Sequence, residues 1–320
     1  MAKKKILIVG AGAVGQVYGY QLASAGHDVH FFVKEKYKEE LEQGLTLYKL
    51  NTDKQKSKPI QFNNFRIVTD WAQAQQHSWD QVYLTISSTA LQGLDLKALK
   101  TTLGNATLGL MQPGPHDLAL VAKIIPAAQI VQGLITLISY AAPLPGEQVS
   151  KPGVAYWLPP MAATPFNGEA VRRTDLITTF TGSGMAAKSN KNLGKSALFP
   201  TAFLMTFLTA LEAADWKFSR LQNDQQLLDN MIAAKKEAFS AVASAHGAKE
   251  PLWAHMNSTL ILKALIRIAP HAVPLDLETY FKVHFTKVKD QTKLFMQTYI
   301  DDAKQQQLPA NHLMALNQLT

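Results

Sequence analysis

The chain has 320 residues, 47% of them apolar and 18% charged, with a formal net charge of +8. These values exclude an intrinsically disordered chain and leave room for two domains with a substantial core. Cysteine is absent, which excludes disulfides and thiolate metal sites and fits a reducing, cytoplasmic setting.

The basic balance favours anionic partners. The lysines are scattered and no aromatic–basic recognition motif is present, so phosphorylated or carboxylate small molecules are expected rather than nucleic acid. The start MAKKKILIVG is basic, but Gly10 and Gly12 break its apolar run and no small-residue cleavage site follows, so no signal peptide is expected. The uncharged stretch Ser196 to Leu211 falls short of the about 20 residues a membrane span needs, which predicts a buried helix and no membrane contact.

KILIV, ending at Val9, is an aliphatic run of strand length, as expected for a parallel strand buried on both faces. Gly10-Ala11-Gly12-Ala13-Val14-Gly15 then opens a helix that should run to about Ser24, with Gly26 ending it and Val29 to Val33 as the second strand. In this pattern Gly10 permits a tight turn, Gly12 lets the backbone approach a pyrophosphate, and Gly15 lets helix and strand pack closely. The helix N-terminus adds unpaired N–H groups and partial positive charge. A glycine pattern lying between a strand and a helix predicts dinucleotide binding.

The end of the second strand, HDVHFFVKEK, decides between coenzymes. An acid there would hold the ribose hydroxyls of NAD, whereas a base suits the 2′-phosphate of NADP. Lys34 and Glu35 are adjacent, and Lys34 and Lys36 flank the single acid, which favours NADP.

SWDQVYLTISS (78–88), NATLGLMQPG (105–114) and QIVQGLITLISY (129–140) read as further strands. PLPGEQVSKPGVAYWLPP reads as two short antiparallel strands punctuated by Pro and Gly. Strands alternating with helices up to residue 168 predict a Rossmann-type doubly wound α/β sheet over residues 1–168. From 169 to 320 the pattern turns all-helical, beginning with ALFPTAFLMTFLTALEAADW, a helix apolar all round with Pro200 expected in its first turn. Four more segments have helical character: 225–247, STLILKALIRIA, LETYFKVHFTKVKDQTKLFMQTYIDDAKQQQ and LPANHLMALNQL. Such a pair of domains is expected to place its active site in the cleft between them.

Taken together, ILIVGAGAVGQVYGYQLASAGHDVHFFVK, EELEQGLTLYKL, VQGLITLISYAAPLPGEQV and LDLETY followed by LPANHLMAL resemble the ketopantoate reductase (2-dehydropantoate 2-reductase) family. The resemblance spans both domains. It implies a helical domain of the 6-phosphogluconate dehydrogenase C-terminal type. It also implies hydride transfer from NADPH to the ketone of a 2-oxo acid, within pantothenate and coenzyme A biosynthesis. In NLGK, Lys195 falls on the family's proton-donating lysine, and Glu278 falls on a glutamate that anchors a substrate hydroxyl. The turn Gly10, Ala11, Gly12, Ala13, Val14 and Gly15 would hold the coenzyme with Lys34. Ser87 stands where the family carries a lysine.

The substrate side departs from the family pattern. Pro113 stands where the family has an asparagine, and Phe199 and Phe203 replace asparagines four and eight residues beyond the lysine. These swaps remove hydrogen-bonding groups and add aromatic surface, which points to 2-dehydropantoate itself or to a more apolar 2-oxo acid. A catalytically impaired NADP-binding paralogue, acting as a sensor or interaction protein, is the alternative. Asn257 and Ser258 are candidates for a family serine, and His116-Asp117 reads as a turn with a helix cap. No paired metal-ligand spacing is present, so no metal is expected. A homodimer is compatible with this reading.

Overall fold

The computed structural model describes residues 2–50, 58–112, 114 and 116–320. Pro113 therefore lies outside the described residues. The chain divides into two compact units, Met1–Leu193 and Gly194–Thr320.

The first unit is built on an eight-stranded sheet. Its strands are β1 (Lys5–Val9), β2 (Asp28–Phe32), β5 (Arg66–Val68), β6 (Gln81–Leu84), β7 (Thr107–Leu110), β8 (Ile130–Gly133), β11 (Thr164–Gly168) and β12 (Ala187–Ser189). They lie in the order β12-β11-β8-β7-β6-β1-β2-β5. All neighbouring pairs are parallel except β8 with β11. A second sheet of four strands, in the order β4-β3-β10-β9, comprises β3 (Leu45–Lys49), β4 (Ile60–Phe62), β9 (Ile138–Ala142) and β10 (Gly153–Trp157).

The central strands are aliphatic because both faces of the sheet are covered. Along β1, Ile6 and Ile8 enter one core with Tyr18, Phe31 and Tyr83, while Leu7 and Val9 enter the opposite core with Val82, Leu84 and Leu108. From β1 the chain builds outward through β2 to β5, then returns to the other side of β1 with β6. The topological switch point therefore lies between the C-terminal ends of β1 and β6, the place where doubly wound sheets bind ligands.

Three expectations change here. QIVQGLITLISY forms two strands in different sheets, β8 and β9, and the tight seating of Gly133 against Phe166 and the Met111 sulfur marks the break. The Pro/Gly-punctuated stretch that follows gives one strand, β10, antiparallel to β9 but parallel to β3. The boundary after residue 168 moves to Leu193 because the helix Ala170–Gly182 belongs to the sheet. Its Asp175 pairs with Lys4 Nζ at 2.7 Å and accepts from Gln81 Nε2 at 2.7 Å, while Leu176 and Phe180 are buried against Tyr18 and Phe166.

The second unit is helical. Its helices of ten residues or more are Leu193–Ala213 (which begins one residue before the unit), Gln225–Ala245, Thr259–Ile268, Leu277–Lys287 and Lys289–Gln305. The apolar helix Leu193–Ala213 starts earlier than expected, so Pro200 lies inside it rather than in its first turn. By length and composition it could cross a membrane, but 56% of its most apolar window is buried within the structure, as a core helix requires.

Candidate functional site

The turn after β1 is shaped by three glycines with three different constraints. Gly10 has φ +101°, and a Cβ there would lie 2.7 Å from Ile86 Cγ2. A Cβ on Gly15 would overlap the Gly10 carbonyl oxygen and come within 2.8 Å of Thr85 Oγ1. On Gly12 it would meet nothing within 4 Å. Gly10 and Gly15 are thus required by packing, whereas Gly12 faces open space.

Gly12 is the N-cap of the helix Ala13–Ser24, with no capping side chain and no acid in the first turn. By contrast, Asp70, Asp95, Glu169, Asp224 and Asp276 cap their own helices. An uncapped helix start with an open approach leaves backbone N–H groups and partial positive charge available to a phosphate. These residues fit a dinucleotide.

The segment after β6 closes the other side of the switch point. Thr85 Oγ1 donates to Gly10 O at 2.9 Å and lies 3.2 Å from Val9 O. Ser87 caps the short helix Ser88–Gln92 by accepting from Ala90 N–H, and its hydroxyl lies 2.9 Å from that of Thr89. Ser87 follows Ile86, which packs against Gly10, and its hydroxyl already serves the fold.

Behind it, Gln112 Nε2 donates to Leu84 O and Ile86 O at 3.2 and 2.8 Å, tying the end of β7 to that of β6. Asp117 is buried and accepts from Ser88 Oγ at 2.6 Å and from Gly114 N–H at 2.8 Å. Burial raises its pKa, opposed by those two hydrogen bonds. The expected turn-and-cap role of His116-Asp117 becomes a buried brace for two loops, with Asp117 as its centre. Thr85 and Gln112 carried no assigned role in the sequence, and Asp117 only that of a turn with a helix cap.

Gly10 N–H donates to Phe32 O at 3.0 Å, which sets the end of β2 alongside the turn. Lys34 follows two residues later and is exposed, with no ion-pair partner among the described residues. Glu35 instead approaches Lys38 at 3.8 Å. The cation at this strand end is available for an anionic group.

In the second unit, Lys195 is exposed in the first turn of the helix Leu193–Ala213 and donates to Gly247 O at 2.9 Å. Glu278, in the first turn of Leu277–Lys287, accepts from Phe218 N–H and lies 3.4 Å from Lys217 Nζ. It thereby clasps the start of the helix Phe218–Asn223. Lys195 and Glu278 hold different partners. Phe199 does not add aromatic surface: it is 3% exposed and packs edge-on to Phe239 at 5.3 Å. Phe203 is half-buried and stacks over Phe207 at 6.1 Å. Asn257 Oδ1 is buried without a hydrogen-bond partner among the described residues, and Ser258 precedes the helix Thr259–Ile268 without capping it.

The fold and the turn define a class: a Rossmann-type dinucleotide-binding unit followed by a helical unit. Residues 6–159 match the family described as ketopantoate reductase PanE/ApbA. That match spans a little under half of the chain, and the chain's fold is similar to that of solved ketopantoate reductase structures.

A 2-dehydropantoate 2-reductase from Nostoc sp. is 27% identical over 139 residues, an alignment spanning 43% of this chain and 41% of that protein's length. A ketopantoate reductase structure from Ralstonia eutropha JMP134 superposes with a TM-score of 0.73 at 18% identity, covering 98% of this chain and 96% of that one. A D-mandelate dehydrogenase solved with NADH and anilino(oxo)acetate gives a TM-score of 0.75 at 14% identity, with the same two coverages. At these identities the structural likenesses establish the fold alone.

Proposed function

We propose that the protein is an NADPH-dependent reductase of 2-oxo acids, forming pantoate from 2-dehydropantoate or reducing a related, more apolar acid. The observation that carries this reading is the Gly10–Gly15 turn at the switch point, uncapped, open over Gly12 and closed beneath by Thr85 and Ile86. The family match over the same unit supports it. Lys34 favours the 2′-phosphate of NADPH, because an exposed cation at the end of β2 suits an anion.

When bound, the coenzyme supplies hydride to the oxo carbon. The chain must then stabilise or protonate the charge that grows on the oxo oxygen. Lys195 Nζ fills that role. Its contact with Gly247 O uses one of three donors and leaves two. Glu278 orients a substrate hydroxyl with the carboxylate lone pairs that Phe218 and Lys217 leave free. Phe203, two turns beyond Lys195 on the same helix and half-buried, is an aromatic ring where an asparagine would offer hydrogen bonds, which favours an apolar substituent. A cytoplasmic homodimer completes the reading.

The test is the loss of NADPH absorbance with 2-dehydropantoate, phenylglyoxylate and 4-methyl-2-oxopentanoate. Turnover of at least one is expected, and no turnover with any overturns the reading.

A further inference from the structure

The helix Thr259–Ile268 buries only Leu262 and Ile266 in its own unit. Leu260, Ile261, Leu265 and Ile268 stand in solvent instead. So do Leu252 and Met256 in the segment just before it, and each of the six is between 39% and 92% exposed. Leu260, Ala264 and Ile268 follow one another at four-residue spacing, and Ile261 and Leu265 run alongside, so the helix carries a continuous outward apolar stripe. Thr259, Lys263 and Arg267 occupy the remaining edge.

Single exposed leucines are ordinary on a protein surface, but a continuous stripe marks a contact. The six side chains together expose on the order of 700 Å², above the about 300–600 Å² of the largest patch on a typical monomer. That area approaches the about 800 Å² each partner contributes to a standard interface.

Charge selects the occupant. Lys263 Nζ donates to Gln225 Oε1 at 3.1 Å, and Lys263 O accepts from Gln222 Nε2 at 2.9 Å, so the polar edge of the helix adjoins Gln225. Gln225 in turn lines a groove with Asp224, Asp229 and Leu319. Arg267, one turn beyond Lys263, is exposed and has no ion-pair partner among the described residues. An anionic lipid surface would be repelled by the carboxylates of that groove. A second copy of this chain brings an arginine to the acidic edge and receives one in return.

We propose that the stripe is the contact face of a homodimer, in which the helix Thr259–Ile268 packs antiparallel against the same helix of a second copy, about a two-fold axis near Ala264. The proposal takes the homodimer from the reading above and assigns its face. A two-fold contact is self-complementary, so the Leu260 end of one helix meets the Ile268 end of the other. Ala264, small and midway along the stripe, lets the two helices approach closely.

The experiment follows the full chain by sedimentation velocity without coenzyme or substrate, together with the double variant Leu260→Asp/Leu265→Asp. Both substituted positions are exposed, so no core is disturbed. The wild type should be a dimer at low micromolar concentration, and the double variant should raise the dissociation constant at least a hundredfold. The chain has no cysteine, so a single introduced thiol reports on its own surroundings. Under mild oxidation Ala264→Cys should link two chains by a disulfide. Val171→Cys, exposed on the first unit, should not.

A wild type that stays monomeric overturns the proposal, and so does a dimer that the double variant leaves intact. A monomer that floats with phosphatidylglycerol vesicles overturns it in favour of a lipid surface. If the double variant does not fold, failure of Ala264→Cys to link decides against the proposal by itself. No readout uses NADPH turnover, so a chain that dimerises through the stripe but reduces no 2-oxo acid overturns the reductase reading alone.

Discussion

A Cβ on Gly15 would overlap the carbonyl oxygen of Gly10, whereas one on Gly12, three residues earlier, would meet no atom within 4 Å. Two glycines of one turn therefore answer to different demands, one to the fold and one to the ligand.

Gly15→Ala should destabilise the protein by about 1–3 kcal/mol, because the obstructing atom is backbone and cannot rotate aside. Gly12→Ala should stay within about 1 kcal/mol of the wild type, since its φ of −69° suits alanine and only N-cap preference is lost. Yet Gly12→Ala should weaken NADPH at least tenfold, because the new methyl occupies the approach to the helix start. Thermal unfolding and coenzyme titration of both variants check this pair, and similar losses of affinity and stability in the two would contradict it.

Lys34→Ala is expected to weaken NADPH tenfold or more and NADH less than threefold, because only the former carries the 2′-phosphate the cation would meet. Isothermal titration with both coenzymes decides it, equal losses speaking against the assignment.

Lys195→Ala should lower kcat by about 10²–10⁴-fold, the usual range for a lost general acid. Glu278→Gln should cost roughly 1–2 kcal/mol of stability by weakening the clasp on Phe218 N–H. KM for 2-dehydropantoate should rise as well, because Glu278 also meets the substrate hydroxyl; an unchanged KM would leave it the clasp alone. Steady-state kinetics beside denaturant unfolding separates the two roles.

Much of this was legible in the sequence, for reasons that differ along the chain. KILIV and QVYL read as strands because strands covered on both faces must be aliphatic throughout. The glycine turn was legible because its spacing between a strand and a helix is a local signal, although Gly10 also packs against Ile86 and Gly15 against Thr85, which no local pattern shows. The split of QIVQGLITLISY was not, since its apolar run continues unbroken while the chain passes from one sheet to the other. The place of the helix Ala170–Gly182 rests on Asp175 meeting Lys4 across 171 residues and Gln81 across 94. Glu278 reaches Phe218 across 60. Partnerships of that span leave no periodic trace.

Acid should destabilise the fold through its buried and half-buried histidines. His284 stacks on Tyr280 at 5.2 Å, and burial, aided by Lys287, pulls its pKa from 6.5 to about 4. Burial likewise lowers His27 and His30, the latter despite Asp28 Oδ1 at 3.3 Å from its Nε2. The unfolded chain takes up these protons first, so stability is full above about 6.5 and falls as pH drops towards 4. His284 alone accounts for about 3 kcal/mol at most, from a shift of this size. His284→Phe, which keeps the ring, should flatten the pH dependence of unfolding between those limits; an unaltered slope would contradict the assignment.

The central claim is that the open helix start at Gly12 receives a dinucleotide phosphate. Titration of the wild-type protein with NADPH, followed by the coenzyme's fluorescence, tests it most directly. The account predicts saturable binding of one coenzyme per chain, competed by NADP⁺ and lost in Gly12→Val. No binding, or binding that Gly12→Val leaves intact, would contradict it.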